Sequence, residues 1–400
     1  MSEVSTVTNR SESVPLWHLF LTFLKIGSTA FGGFMALISV VQNYVVDRNK
    51  LLSHTVMADG ISLATILPGP VAVNVVAYVG YQIRGVAGAI VCTVAVIIPS
   101  FLLIVALSYA YFTWGEIPSV SHVFNGFQPA VAAIILAAAV TMSRKNLATY
   151  PDYALCLISM FVLIFVGGFI TTLAIIGGSG LVGYFLQKYQ TGFQKTAALS
   201  LSKKQLLIPG VGIGMLVSLL LIPVFKSSLA VSFKLFTTFS GMSLLLFGGG
   251  YVFIPLIQEI VVNTQGWLTQ REFIDGIALG QVTPGPILIS ATFIGYKVAG
   301  FAGAFVSTVG IFLPPAILML VCTSLLETIR SSEHIKAVLK GIRCGVIGMI
   351  AAAAFVVITT SEPNLISAII FGLTLLALMK FKLEVVWIIP CAGLIGFVSY

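Results

Sequence analysis

Apolar stretches of 18 residues or more recur from Leu16 to the end of the chain, and each is long enough to cross a hydrocarbon core of about 30 Å as a helix. Only 8% of the residues are charged and 58% are hydrophobic, against a usual charged share of about 25%. A soluble domain of this size has too few polar side chains to cover its surface, so the fold class is an all-α polytopic integral membrane protein. An outer-membrane barrel does not fit, because its strands alternate polar and apolar residues over about ten positions. The net charge of +8 does not make so apolar a chain a nucleic-acid-binding domain.

Several chemistries lack their residues. Cys92, Cys156, Cys322, Cys344 and Cys391 are scattered through apolar segments, with no Cys-x-x-Cys pair and no neighbouring histidine to complete a metal site. His18, His54, His122 and His334 form no zinc-binding pair. No phosphate-binding Gly-x-x-x-x-Gly-Lys-Ser/Thr loop is present. Neither a metal nor another cofactor is expected, and transport would be driven by gradients or voltage. Leu16 to Leu24 followed by Ser28-Thr29-Ala30 could pass for a signal peptide, but a repeat argues against cleavage there.

Phe31-Gly32-Gly33 recurs as Phe247-Gly248-Gly249, Asp59-Gly60-Ile61 as Asp275-Gly276-Ile277, and Pro68-Gly69-Pro70 as Pro284-Gly285-Pro286, all at a shift of 216. Between positions 31 and 70, 15 of 40 residues are identical without a gap. After a one-residue deletion, Gly80-Tyr81 matches Gly295-Tyr296, Pro99 matches Pro314 and Gly126 matches Gly341. Hydropathy places six helices in the first copy, over 17–46, 56–82, 86–113, 123–143, 152–169 and 170–187. An extra span follows over 205–226, and the second copy has six more over 230–262, 270–296, 300–327, 341–360, 364–380 and 383–400, thirteen crossings in all. The organisation expected is a polar tail over 1–15, a first repeat over 16–187, a basic loop and linking helix over 188–229, and a second repeat of inverted topology over 230–400. Loop charge agrees with inversion: Arg144 and Lys145 correspond to a loop carrying Glu362, while Glu116 corresponds to one flanked by Arg330, Lys336 and Lys340. Arg48 and Lys50 fall on the less basic side in this arrangement. Splitting 152–187 at Gly167-Gly168 is what makes the copies antiparallel; one crossing there would make them parallel.

Pro-Gly-Pro cannot continue a helix, since each proline lacks an N–H and its ring collides with the carbonyl four residues back. The helices must break near Gly69 and Gly285. With Pro70 and Pro286 opening the restarted helices, the N–H groups of about residues 71–73 and 287–289 are left without intrahelical partners. Paired breaks in an inverted repeat are where transporters place substrate, with positive half-helix ends aimed at anionic groups. Two such ends supply about +1 charge, half of what a dianion needs. The expected substrate site comprises Gly32, Gly33, Pro68, Gly69, Pro70, Asn74, Gly248, Gly249, Gln281, Thr283, Pro284, Gly285 and Pro286, with Ser290 nearby. Lys25, about 13 Å inside the first span and two turns before Gly32, is the leading fixed cation; snorkelling to the interface is its alternative role. Arg84, Lys297 and Arg343 are candidate entrance cations. Asp59, Asp275 and Glu259 are candidate proton carriers, with helix capping the favoured role for the two aspartates.

Phe-Gly-Gly, Leu67-Pro68-Gly69-Pro70, Val79-Gly80-Tyr81 and Pro99-Ser100, with Gly266-Trp267-Leu268-Thr269, Gly280-Gln281 and Thr283-Pro284-Gly285-Pro286 in the second half, together resemble the chromate transporter family. The resemblance implies a two-domain member that exports chromate from the cytoplasm and confers resistance to it, with halves of opposite orientation. The function expected is therefore a secondary transporter of an oxyanion, most directly chromate, in the cytoplasmic membrane and working by alternating access. Sulfate is a tetrahedral dianion of the same kind, so a carrier of sulfate or another small anion is the alternative, with an anion channel a more distant one. An intramembrane enzyme lacks a nucleophile–base pairing. The partners implied are the lipid bilayer and a small inorganic oxyanion, without nucleic acid; a homo-oligomer is compatible with the sequence.

Overall fold

The computed structural model describes residues 14–31, 33–115, 117–190, 231–247, 253–323, 332–360 and 364–399. Every regular element among them is helical, fourteen helices in all. In the first copy they are α1 (Leu16–Thr29), α2 (Gly33–Gln42, extended by a π-helical turn Asn43–Arg48), α3 (His54–Ile66), α4 (Val71–Trp114), α5 (Pro118–Asn146), α6 (Tyr150–Phe165) and α7 (Phe169–Gln190). The second copy repeats them as α8 (Val231–Ser243), α9 (Phe253–Gln258, with a π-helical turn Glu259–Thr264), α10 (Gln270–Val282), α11 (Ser290–Thr323, preceded by a 3₁₀ turn Ile287–Ile289), α12 (Glu333–Thr360), α13 (Leu365–Met379) and α14 (Val385–Ser399). Among the described residues, five helices are long and apolar enough to cross a membrane, with windows of mean hydropathy from 1.7 to 2.9. The chain is a multi-pass membrane protein.

The copies agree in backbone detail. The π turns Asn43–Arg48 and Glu259–Thr264 occupy equivalent positions, and so do the helices capped by Ser53 and Thr269. Gly69 and Gly285 have φ of 105° and 106°. Arg84-Gly85 and Ala299-Gly300 leave helical geometry with nearly the same angles, Gly85 at φ 60°, ψ −151° and Gly300 at φ 58°, ψ −147°.

These breaks reverse the chain and divide each copy into seven helices among the described residues, where hydropathy leads one to expect six. Gly60 packs against the Tyr78 ring, and Gly276 against Phe293, pairs that flank the two Pro-Gly-Pro segments almost evenly. The arms of 56–82 and 270–296 therefore lie side by side as helical hairpins with Pro-Gly-Pro at the tips. Segment 17–46 folds back in the same way, because Thr22 Oγ1 lies 3.0 Å from Tyr44 Oη. Its counterpart brings Lys234 over the Trp267 ring at 5.9 Å. An arm of 13 residues is about 20 Å long, short of the ~30 Å core. A second reversal follows at Gly85 and Gly300, where Gly80 abuts Gly88 and Gly295 abuts Gly303. Thr292 and Thr308 hydroxyls meet at 2.7 Å, a separation of sixteen residues that a straight helix would hold about 24 Å apart. Gly80–Gly88 and Gly295–Gly303 leave no room for a Cβ, while Gly85 and Gly300, with open space around them, supply the positive φ of the break.

Segment 150–190 forms two antiparallel helices. Along α12, Lys340 bonds Asp152 at 3.2 Å and Gly348 abuts Cys156, so α6 runs parallel to it. Gly341 and Gly345 abut Ser179 while Ala337 faces Gly183, so α7 runs the other way. The reversal lies at Gly167 and Gly168, with φ of 59° and 88°. The linking span expected over 205–226 lies outside the described residues.

The copies interlock. Leu318, Met319 and Cys322 of α11 pack among the first copy's hairpins, while Val73 and Ile104 of α4 pack in the core formed mainly by the second copy. The helices pair in opposite directions: the break at Gly69 meets Pro315, and the break at Gly285 meets Ser100.

Candidate functional site

At the centre, the hairpin tips bind across the repeat. The Gly69 N–H donates to the Leu246 carbonyl at 2.8 Å, and the Gly285 N–H to the Ala30 carbonyl at 3.1 Å. Leu246 and Ala30 are equivalent residues immediately before the Phe-Gly-Gly segments. Each Pro-Gly-Pro tip is thus held against the end of the other copy's first hairpin, and the contact is self-complementary. Ser100 Oγ donates to the Pro284 carbonyl, pinning the second tip to α4.

Pro70 and Pro286 stand one position earlier than expected, capping Val71 and the 3₁₀ turn rather than beginning the helix. The first intrahelical donor is Asn74 N–H, to the Pro70 carbonyl at 2.9 Å. Among the described residues, the N–H groups of Val71, Ala72, Val73, Ile287 and Leu288 make no backbone bond outside their own elements, and each lies at the first turn, where intrahelical partners are lacking. Ile289 differs from the expectation, since its N–H bonds the Pro286 carbonyl at 3.0 Å.

Polar side chains surround the tips. Asn74 is fully buried; its Nδ2 donates to the Pro68 carbonyl at 3.2 Å, and its Oδ1 has no partner among the described residues. Ser290, the equivalent residue, donates to the Ile287 carbonyl at 3.0 Å. Thr283 donates to the Gly280 carbonyl at 2.8 Å, and Gln281 Nε2 is buried without a partner among the described residues. Arg343 of α12 donates from Nη2 to the Thr65 carbonyl at 3.2 Å, in the turn just before the first tip. Gly33 opens α2; Gly32, Gly248 and Gly249 lie outside the described residues.

Other expected residues are elsewhere. Arg84 is exposed at the outer fold-back of α4, about 20 Å of helix from the tip. Lys297 sits at the equivalent place, 2.8 Å from Glu272 and 4.8 Å from the centre of the Phe112 ring. Lys25 lies on α1 in a cleft between α1 and α2. Glu259 bonds Asn263 at 2.8 Å within its π turn.

The two aspartates are not caps, because Ser53 and Thr269 hold those positions and Asp59 and Asp275 fall about a turn and a half further on. Asp275 has no exposed surface. Its Oδ2 accepts from Tyr111 of α4 at 2.8 Å and lies 3.9 Å from Arg271 Nε, while its Oδ1 has no partner among the described residues. Arg271 is drawn toward α5 by bonds of 2.8 Å to Ser121 and to Asn125. Sequence patterns gave no signal for Tyr111, Arg271 or Pro315, which meet their partners only through the fold; Ser100 carried a motif but no role.

The chain is 30% identical over 408 residues to a chromate transport protein of Pseudomonas aeruginosa, covering 100% of this chain and 96% of that one. It is 32% identical over 372 residues to an uncharacterized transporter of Methanocaldococcus jannaschii, covering 91% and 89%. An uncharacterized transporter of Bacillus subtilis is 32% identical over 174 residues, which is 42% of this chain but 96% of the relative. No solved structure matches. The family described as Chromate transporter matches twice, over residues 17–184 and 233–397, the two stretches that carry the hairpin pairs. The chain belongs to the chromate transporter family.

Proposed function

We propose that this protein is a secondary transporter that carries chromate, or a closely similar tetrahedral oxyanion, out of the cell across the cytoplasmic membrane, by alternating access around the paired Pro-Gly-Pro tips. The observation that carries this is the reciprocal pair of bonds from Gly69 to Leu246 and from Gly285 to Ala30. It ties the helix start of each copy to the other copy, each start with unpaired N–H groups and a partial positive charge. Arg343 adds a full charge beside one tip, which supplies what the two helix ends leave lacking for a dianion. Asn74, Gln281, Thr283 and Ser290 offer hydrogen bonds to its oxygens. Asp275, buried with one oxygen unpaired, is the group we assign to the coupled proton.

Loop charges support inverted halves in the membrane once the hairpins are taken as re-entrant. The ends of the first copy's hairpins then share a side with the α5–α6 connection, the end of α11 and the start of α12. That side carries Arg48, Lys50, Arg84, Arg144, Lys145, Lys188, Lys336, Lys340, Lys380 and Lys382, whereas Lys234, Arg271 and Lys297 lie opposite. Cytoplasmic loops collect such residues, and Arg48 and Lys50, misplaced by hydropathy alone, now agree with the rest. The test is chromate uptake by inside-out proteoliposomes under an imposed proton gradient, with sulfate in competition. Saturable uptake inhibited by sulfate supports the assignment; chromate flux equal to that of empty liposomes overturns it.

A further inference from the structure

Between α1 and α2 lies an open cleft of about 490 Å³, within the size range of small-ligand sites. Lys25 and Arg48 line it, with Thr22, Thr29, Ser39 and Asn43. Among the described residues neither cation has an acidic partner: Asp47, next to Arg48, lies 3.6 Å from His54 instead. Tyr44 closes one wall, its hydroxyl meeting Thr22 at 3.0 Å and His18 at 3.3 Å. An ammonium about 13 Å along α1 from its start, open to the outside of the fold yet unpaired, is expensive in hydrocarbon. A water-filled cleft with an anion to bind removes that expense.

The other copy has no counterpart. At the shift of 216, Lys25 corresponds to Gly241, Arg48 to Thr264, Ser39 to Pro255, Thr29 to Leu245 and Asn43 to Glu259. The backbone of the hairpin is repeated and its cations are not, although Thr22 recurs as Thr238.

We infer that the α1–α2 cleft is an anion-binding vestibule for a tetrahedral oxyanion, loading the central tips from the side that carries Arg48, with no matching vestibule on the opposite side. The cleft runs beside α1 toward Ala30, whose carbonyl holds the Gly285 tip, so an ion held at Lys25 stands about one turn and a half from the centre. Two cations without acids concentrate anions in the cleft, and the bare counterpart lets the ion leave without a second capture. This rests on the transport role proposed above for its direction, though not for the binding itself.

The same chemistry would suit an anionic lipid headgroup, so the test separates the two sources. Lys25→Cys is made in a Cys391→Ser background, and full-length protein is placed in inside-out vesicles of phosphatidylcholine. Methanethiosulfonate reagents of opposite charge are added from the cytoplasmic face, with sulfate as the probe because chromate oxidises thiols. Expected are faster labelling by the anionic reagent than by the cationic one, a drop in that ratio of about threefold or more in Arg48→Gln, and slower labelling with sulfate. Labelling that is absent, indifferent to charge, or slowed only when phosphatidylglycerol is included overturns the vestibule. In transport, Lys25→Met should raise KM about tenfold with kcat within twofold, and Lys25→Arg should restore KM; a fall in kcat at unchanged KM also overturns it. Absence of chromate transport by the unmodified protein, with sulfate protection intact, removes the transport role and leaves the binding site standing.

Discussion

Tyr111 of α4 donates a 2.8 Å hydrogen bond to the Oδ2 of Asp275 on α10, linking two residues 164 positions apart that belong to opposite copies. The bond reaches a carboxylate with no exposed surface. Around it stand Tyr111 from α4, Arg271 and Glu272 on its own helix, and Lys297 from α11, which is held by Glu272 at 2.8 Å.

Asp275→Asn keeps the shape and the bond from Tyr111 while removing the proton site. It should leave the protein folded and abolish stimulation of transport by an imposed pH gradient, with sulfate or chromate exchange at equal pH persisting. Tyr111→Phe leaves a buried acceptor short of a partner, which costs about 1–3 kcal/mol, and should lower the melting temperature in detergent. Gradient-stimulated transport in Asp275→Asn equal to that of the parent would remove Asp275 from coupling.

Gly69→Ala and Gly285→Ala should be far more damaging than Gly85→Ala. All three glycines have positive φ, a sparsely populated conformation that costs an alanine about 1–3 kcal/mol. At Gly85 nothing lies within 4 Å of an added Cβ, so the backbone penalty stands alone. At Gly69 the added carbon overlaps Pro315, and at Gly285 it meets Ser100, so the tip must withdraw from the other copy. Transport rate per folded protein is the measure: near normal for Gly85→Ala, and reduced at least about a hundredfold for the tips if a misplacement of roughly 1 Å has its usual effect.

Arg343→Gln should raise KM for the oxyanion by about tenfold or more, corresponding to about 1.4 kcal/mol or more. Arg343→Lys should recover part of this, because an ammonium keeps the charge but loses the planar fork. Equal KM in all three proteins would assign Arg343 to holding the end of α3 through Thr65.

The break points at Pro68-Gly69-Pro70 and Pro284-Gly285-Pro286 were legible because proline chemistry acts within a few residues. The direction of the chain after each break was not. A proline states that a helix stops, and the same 25 or so apolar residues serve one crossing or two 13-residue arms folded together. What distinguishes them is tertiary: Gly60 against Tyr78 and Gly276 against Phe293. The misplaced Arg48 and Lys50 were the one trace of this in the sequence. The glycine after each of Asp59 and Asp275 suggests a cap, yet Ser53 and Thr269, which also lie in matched positions, take that role. The Tyr111–Asp275 bond has no local pattern at all, since the two residues meet only when α4 and α10 pack.

The bond from Gly69 to Leu246 sets a timetable for synthesis. Leu246 follows Gly69 by 177 residues (246 − 69), and at about 5–20 residues per second the ribosome reaches it some 9–35 seconds later. During that interval the first hairpin's tip has no carbonyl from the second copy to accept its amide. An unpaired amide costs several kcal/mol in lipid, so the nascent first half must wait where water or the insertion machinery can serve the tip, and it reaches its final depth only when the second half arrives.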